Sequence, residues 1–219
     1  MRNVAAILGF LFVFSVACAT EFNPLRPDYE RLNNLVIELL NSKRMSKGKG
    51  QLVRNESLQR TAVFYTDKYV LRKFENSWEN KLRIGKKIKK LCAENGYNCR
   101  LIDFSINTTP ALHYFGNRYY YDKEENLSDL HLYFGKKKPT KAEKESSNYK
   151  PVPIKAYTYE ELAEEIAKQV VHDKGHFKSL NNAYDQIGIS CVVEPRSVGG
   201  RKRPQIKAII IVGGKLINW

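Results

Sequence analysis

A chain of 219 residues holds one domain, or one domain with tails. Its 37 Lys and Arg against 23 Asp and Glu give a formal net charge of +14. Such a charge favours anionic partners (acidic glycans, lipid headgroups or nucleic acid), or serves solubility alone. No segment after residue 19 approaches the roughly 20 consecutive apolar residues of a membrane span, which argues against an integral membrane protein.

The first 19 residues have the pattern of an export signal. Arg2 precedes an apolar run over residues 4–16, and Ala17-Cys18-Ala19 forms an A-x-A cleavage site. Cleavage after Ala19 predicts a secreted, extracellular protein, or a periplasmic one if the source is bacterial. The alternative is a lipoprotein anchored through Cys18, although Ser15 stands where such signals usually place Leu.

Removal of the signal leaves three cysteines, an odd number. Cys92 and Cys99 flank a turn-rich spacer, and an oxidising compartment favours a local disulfide between them. The alternative is three unpaired thiols. Cys191 lies in an apolar run and is predicted to be a small buried residue of a strand.

Three N-x-S/T sequons lie at Asn55, Asn107 and Asn126. They are glycosylation acceptors only in a eukaryotic secretory pathway, so a glycoprotein is conditional on the source. Motifs of this length also arise by chance and do not decide the class of protein.

Basic residues are clustered rather than spread evenly. Residues 81–90 hold six cations and no acid, 136–155 form a Lys-rich stretch, and a third cluster spans 201–203. The Lys-rich stretch has almost no apolar residues and predicts a flexible loop. The other two clusters predict a basic patch for an anionic partner, formed by Lys86, Lys87, Lys89, Lys90, Arg201, Lys202 and Arg203.

Helical periodicity predicts two helices in the first third of the chain. Residues 20–27 form a Pro-containing lead-in, Asp28 caps the first helix, and the glycines within 45–50 end it. Asn55 caps the second helix. The inward positions are Leu32, Leu35, Val36, Leu39 and Leu40 in the first helix and Leu58, Ala62, Tyr65 and Tyr69 in the second.

A third helix is predicted over about 79–94, with its lysines outward and Asn95-Gly96 as the stop signal. Its inward positions are Leu82, Ile88 and Leu91. The next segment, 101–107, alternates as a strand does. Its two faces carry Ile102, Phe104 and Ile106 on one side and Asp103, Ser105 and Asn107 on the other.

The second half of the chain predicts aromatic strands, one helix and a final pair of strands. A hairpin around Gly116-Asn117 and a strand over 130–134 carry the aromatic residues. Thr158-Tyr-Glu-Glu161 is a capping box that opens a helix with Leu162, Ile166 and Val170 inward. Residues 187–193 and 206–212 are predicted strands, joined by a basic, Gly-rich connection over 194–204.

His172 and His176 stand four residues apart, so both point the same way if the helix reaches them. Two imidazoles on one helix face suit zinc, and Asp173 takes the position of the Glu in the H-E-x-x-H motif of zinc hydrolases. Gly175 frays the helix at this point. The alternative is a histidine that hydrogen-bonds a neighbouring loop.

Other signatures of catalysis or nucleotide binding do not occur in the sequence. It has no G-x-S-x-G nucleophile elbow, no P-loop and no dinucleotide-binding glycine pattern. Charge and aromatic residues suit nucleic acid, but no recognition motif accompanies them, and export separates the protein from DNA and RNA. We therefore expect no nucleic-acid partner.

The segment over 170–193 contains helix, histidine, polar turn and strand in that order, with Gly175, His176, Asn181, Tyr184, Ile187, Gly188 and Ile189. In this it resembles the C-terminal signature of the CAP superfamily, which contains the cysteine-rich secretory proteins, antigen 5 and the pathogenesis-related 1 proteins. Lys47-Gly48, Asn95-Gly96-Tyr97 and Gly213-Gly214 match further family features. The chain departs from the family at 73–77, where no His follows the second helix, and near Asp103, where the Gly-Glu-Asn motif is missing.

The resemblance covers about residues 28–213 and implies an α+β fold, a three-layer α-β-α sandwich with a small, mostly antiparallel sheet, in one domain over 28–219. It also implies an extracellular role. Of the family's two-His, two-acid cavity only His176 carries over, with His172 and Asp173 beside it. We therefore expect a secreted, non-enzymatic CAP-like protein without a cofactor. Its expected partner is an extracellular ligand or an anionic surface, glycan or lipid.

Two alternatives stay open. One is a zinc-dependent hydrolase with His172 and His176 as metal ligands. The other is a cationic adhesin or host-interaction protein, which differs from the first reading mainly in its partner. The sequence does not indicate the oligomeric state.

Overall fold

The computed structural model describes residues 20–24, 26–69, 78–99, 101–113, 119–121, 130–132, 140, 142, 145–146, 152–153, 156–172, 183–198 and 201–214. The predicted export signal, most of the Lys-rich stretch and the predicted turn at Gly116-Asn117 lie outside these residues. Within them the chain combines helices with a mixed sheet. The predicted α+β fold class is confirmed.

The described elements comprise four helices and seven strands. The helices are α1 (Tyr29–Met45), α2 (Glu56–Tyr69), α3 (Trp78–Glu94) and α4 (Tyr159–His172). The strands are β1 (Val53–Arg54), β2 (Ile102–Pro110), β3 (Tyr119–Tyr121), β4 (Leu130–Leu132), β5 (Val152–Pro153), β6 (Gln186–Val198) and β7 (Arg201–Gly213). In this part of the chain no helix combines the length and apolar character of a membrane span.

Capping side chains set where three of the helices begin. Oδ1 of Asp28 accepts a hydrogen bond from the first turn of α1 at 3.0 Å. Oδ1 of Asn55 accepts two from the first turn of α2, at 2.9 and 3.1 Å. Thr158 and Glu161 exchange hydrogen bonds of 3.1 and 2.9 Å as a capping box. The predicted N-terminal caps of α1, α2 and α4 are therefore confirmed.

The main sheet has the strand order β1-β6-β7-β2. β1 runs parallel to β6, whereas β6 with β7 and β2 with β7 are antiparallel. The ladder between β6 and β7 runs from Gln186↔Gly213 to Val198↔Arg201. The prediction that 194–204 form a connection is wrong, since 194–198 and 201–204 continue the strands. Pro195 pairs with Pro204, which the ladder accommodates because only alternate pairs exchange N–H···O bonds.

A second, smaller sheet has the order β3-β4-β5 and is antiparallel. It contains the predicted aromatic segments, with Tyr120 paired to His131. An isolated bridge between Leu112 and Ala156 brings the chain after β2 to the segment before α4.

Apolar side chains fill two clusters, one on each face of the main sheet. The first cluster joins α1 and α4 to the sheet and includes Val36, Leu40, Leu162, Ile166, Ile189 and Ile210. The second joins α2 and α3 to the opposite face and includes Leu58, Ala62, Tyr65, Ile88, Ile209 and Ile211. Because residues 206–212 of β7 alternate between the two clusters, their side chains are buried on both faces of the sheet.

Candidate functional site

The outer face of α3 carries a row of cations whose position follows from helical periodicity. Ile84, Ile88 and Cys92, spaced four residues apart, are buried in the second cluster. The opposite side faces solvent and consists of Arg83, Lys86, Lys87, Lys89 and Lys90, all exposed. We call these five residues the basic face. They span about 10 Å along one rigid helix.

The C-terminal end of α3 links the basic face to α2. The N–H of Tyr97 donates to the carbonyl oxygen of Cys92 at 2.7 Å, and Gly96 takes a φ of 86° that favours glycine, as its predicted role as stop signal requires. Nη2 of Arg60, on α2, donates to the carbonyl oxygen of Asn95 at 3.2 Å. Arg60 is exposed and therefore extends the positive surface from α3 to α2. It was not among the predicted patch residues.

α3 carries two acidic residues, Glu79 in its first turn and Glu94 at its end. Glu94 is the one acidic residue between 83 and 94. Its Oε1 lies 3.7 Å from Nζ of Lys90, with side chains 54% and 79% exposed. Exposed pairs of this kind are weak, at about 0–1 kcal/mol. This pair therefore removes little of the positive charge of Lys90.

The second predicted part of the basic patch lies at the far end of the β6–β7 hairpin. The backbones of Arg201, Lys202 and Arg203 belong to β7 and pair with 196–198. Their side chains lie outside the described residues, so their part in a patch stays a prediction.

Three polar side chains on one face of β2 are buried beneath α4. Ser105, Asn107 and Thr109 are 2%, 8% and 2% exposed. Nδ2 of Asn107 donates to Oγ of Ser105 at 3.0 Å, and Nε2 of Gln169, on α4, donates to Oγ1 of Thr109 at 3.0 Å. The alternation of polar and apolar residues in the sequence of β2 predicted this polar face. It did not predict that a helix covers it. The result is a strip of hydroxyl and amide groups between β2 and α4.

His172 is the last residue of α4, three residues after Gln169, and its side chain is exposed. Asp173 and His176 lie outside the described residues. The distance between the imidazoles of His172 and His176 is therefore not tested. Among the described residues, no group of three or more His, Cys, Asp and Glu side chains is arranged to hold a metal ion. The predicted zinc pair stays a prediction.

Cys92, Cys99 and Cys191 are free thiols in the structure. Cys92 is buried, and burial raises its pKa to about 11. The half-buried Cys99 donates its S–H to the carbonyl oxygen of Gly214. Cys191 is buried in β6, as predicted, and burial raises its pKa to about 12. The predicted disulfide between Cys92 and Cys99 is not formed here and stays a prediction for oxidising conditions.

Two of the three predicted glycosylation sites are described. Asn55 is half-buried, caps α2 and donates its amide to Gln186 Oε1 at 2.7 Å. Asn107 is buried in the polar strip of β2. Asn126 lies outside the described residues. A glycan therefore has less room at Asn107 than at Asn55, and glycosylation itself stays a prediction.

A cluster that the sequence did not predict lies where α4 begins. The rings of His113 and Tyr157 stack with centroids 3.7 Å apart, and Nε2 of His113 lies 3.4 Å from Oε2 of Glu161. The same carboxylate oxygen accepts the capping-box N–H of Thr158. Burial is the largest cause that raises the pKa of Tyr157, and the negative charges of Glu165 and Glu161 raise it further. The cluster holds the start of α4 against the chain that follows β2.

No protein-family model matches this chain, and no curated protein matches it. Among the described residues, the basic face is the candidate binding surface, and the buried polar strip is a separate cluster of hydrogen-bonding groups.

Proposed function

We propose that this is an exported, non-enzymatic, CAP-like protein that binds anionic ligands through the basic face of α3. One observation carries the proposal: five cations are exposed along one helix whose apolar side is locked in the second cluster. Such a surface attracts sulfate, carboxylate or phosphate groups without rearrangement of the fold. Acidic glycans and lipid headgroups share this chemistry.

The finer fold assignment, a three-layer α-β-α sandwich of the CAP type, belongs to the same proposal. The main sheet has α1 and α4 on one face and α2 and α3 on the other, which supports it. The pairing of β6 with β7, whose last residue is Gly213, also agrees with the resemblance of the sequence to that family.

The proposal of a binding protein rather than an enzyme draws on the polar strip of β2. The family carries a glutamate in this neighbourhood, whereas Ser105, Asn107 and Thr109 offer hydroxyl and amide groups. These groups hydrogen-bond one another and α4, and they do not exchange protons near neutral pH, so the strip supplies no general acid or base. Asp103 lies on the same side of β2, two residues before Ser105. It is half-buried and therefore stands at the margin of the strip.

A cationic adhesin would use the same surface and differs in its partner alone. A zinc-dependent hydrolase would instead depend on His172 and His176, and the zinc content of the purified protein separates it from a binding protein.

The test of the proposed function is binding of the full mature chain to immobilised heparin across a salt gradient. The variant K86Q/K87Q/K90Q removes three charges from the basic face. The control K43Q/K47Q/K49Q removes three charges from the last turn of α1 and the turn that follows it, and α1 packs on the opposite side of the sheet. At about 1 kcal/mol for each cation near an anionic surface, the first variant should lose about 100-fold in affinity. The control should elute close to the wild type.

Equal losses in both triple variants would mean that net charge, not the basic face, drives binding. Failure of the wild type to bind heparin or any anionic surface would refute the proposed function itself. Matching circular dichroism spectra and melting temperatures should accompany each comparison, since all six lysines lie at or near the surface.

A further inference from the structure

Three of the five cations of the basic face form a line along the axis of α3. Lys86 and Lys90 are exposed, and each stands two residues from the fully buried Ile88. At about 3.6 residues per turn this spacing places both lysines on the side of the helix opposite the core. Arg83 precedes Lys86 by three residues and lies on the same side. We call Arg83, Lys86 and Lys90 the cation line.

The other two cations of the basic face lie on the flanks of this line. Gly85 stands on the side of α3 next to β2, because a Cβ there would lie 3.1 Å from Cε1 of Phe104. Lys89 follows Gly85 by four residues and therefore lies on that flank. Lys87 precedes Leu91 by four residues, and Leu91 packs against the second cluster on the other flank. α3 thus carries exposed lysines both on the line and beside it.

The neighbouring helix α2 does not widen the positive surface into a plane. Arg60 adds one cation at the C-terminal end of α3, where its Nη2 donates to the carbonyl oxygen of Asn95 at 3.2 Å. Nη1 of Arg60 lies 4.0 Å from Oε2 of Glu56, so an anion accompanies this cation. No other charged residue occurs between 56 and 66. The positive charge of this part of the molecule therefore follows the axis of α3.

The outer surface of a helix is convex, which limits the ligands that it can hold. Sites for small ligands are concave and enclose most of the ligand. An exposed lysine on a convex surface contributes only about a fivefold gain in affinity, and salt screens it. Useful affinity therefore requires one ligand to contact several of the cations at once. Along the axis, successive members of the cation line are about 4.5 and 6 Å apart.

We propose that the cation line binds an extended, linear polyanion, such as a sulfated or carboxylated polysaccharide, along the axis of α3. A chain with an anionic group about every 5 Å matches the axial spacing of the line. A planar lipid surface would match charge that is spread across both α2 and α3, which is not the arrangement found. This inference rests on the proposed function, which assigns the basic face to anionic ligands, and selects the linear polyanion among them.

The experiment measures binding of the full mature chain to heparin-derived oligosaccharides, from disaccharide to decasaccharide, at several salt concentrations. The variant K86Q/K90Q removes two cations of the line. The matched control K87Q/K89Q removes two cations from the flanks of the same helix, so both variants have the same net charge. Both should keep the wild-type melting temperature, because all four lysines are exposed. Vesicles that contain phosphatidylserine are tested in parallel.

The affinity of the wild type should rise with the length of the oligosaccharide until the ligand spans the cation line. K86Q/K90Q should lose about 30-fold in affinity for the decasaccharide, from the loss of two contacts. It should also flatten the dependence of affinity on salt, since fewer counterions are released. K87Q/K89Q should lose less than about fivefold.

Three results would overturn the inference and leave the proposed function standing. Equal losses in the two double variants would show that the charge of the whole helix matters and not its alignment. A disaccharide that binds as tightly as the decasaccharide would indicate a compact anion site. Tighter binding to the phosphatidylserine vesicles than to the decasaccharide would favour a lipid surface. Failure of the wild type to bind any of these ligands, polymeric heparin included, would defeat the proposed function as well.

Discussion

The guanidinium group of Arg44 donates through Nη2 to the carbonyl oxygen of Tyr184 at 2.7 Å, across 140 residues of sequence. Its Nε donates to the carbonyl oxygen of Gly50, also at 2.7 Å. The side chain is 1% exposed. Burial lowers the pKa of Arg44, while the charge of Asp185 opposes that effect. One cation thus joins the end of α1, the link to β1 and the start of β6.

Replacement of Arg44 by Met should destabilise the fold by about 2–3 kcal/mol, because the buried carbonyl oxygen of Tyr184 loses its donor at about 1–3 kcal/mol and the partly buried one of Gly50 loses its donor as well. Urea unfolding followed by circular dichroism measures the change in the free energy of unfolding. The exposed neighbour Lys43, changed to Met, should stay within about 0.5 kcal/mol of the wild type. A loss below about 1 kcal/mol for Arg44→Met would show that water replaces the guanidinium.

Gly188 is the point where β6 touches α2. A Cβ on this residue would lie 2.5 Å from the backbone nitrogen of Gln59 and closer still to the carbonyl group of Leu58. Gly188→Ala should therefore cost several kcal/mol, since backbone on both sides must move apart. Gly50→Ala is the matched control, because a Cβ there has nothing within 4 Å. Melting temperatures that fall equally in the two variants would contradict the close contact.

The buried thiols predict a loss of stability at alkaline pH. Burial raises the pKa of Cys191 from the ordinary 9.0 to about 12, so the unfolded chain releases this proton first as the pH rises. The free energy of unfolding should fall between about pH 9 and 12, by up to about 1.4 kcal/mol per pH unit for this thiol. Cys191→Ala should have the shallower slope in urea titrations at pH 8, 9 and 10 with reductant. Parallel slopes would show that the thiol is not held protonated.

Metal content distinguishes the binding protein from the zinc hydrolase. We expect well below one zinc per chain in protein purified without chelator or affinity tag, because the predicted pair supplies two ligands where a catalytic site takes three. Elemental analysis gives the answer directly. A value near one, lost in His176→Ala and His172→Ala, would revive the enzyme and overturn the non-enzymatic proposal.

Local signals predicted the helices well. Asp28, Asn55 and the Thr158/Glu161 capping box start helices where the structure has them, because each cap satisfies backbone groups within four residues. The alternation of 102–107 likewise gave the correct two faces of β2. Such features depend on residues that are close together in sequence, so they can be predicted from the sequence alone.

Features that depend on distant partners were not predictable. Arg44 has the sequence context of a solvent-exposed cation at a helix end, and its burial depends on Tyr184. β1 is two residues long, so its pairing with β6 left no periodic pattern to recognise. The contact of His113 with Tyr157 and Glu161 joins side chains about a quarter of the chain apart. Arg60 joins the positive surface only because α2 and α3 pack side by side.

The strand order β1-β6-β7-β2 has a consequence for how the chain acquires its structure. The two central strands, β6 and β7, come last in sequence. Until residues 186–213 are available, the helices before them have no sheet to pack against and β2 has no strand to pair with. Contacts of such long sequence separation slow folding. A chain that is synthesised from its N-terminus would therefore remain open until β6 and β7 are complete. Interruption before β7 should yield an aggregation-prone fragment with unpaired strand edges rather than a smaller native domain.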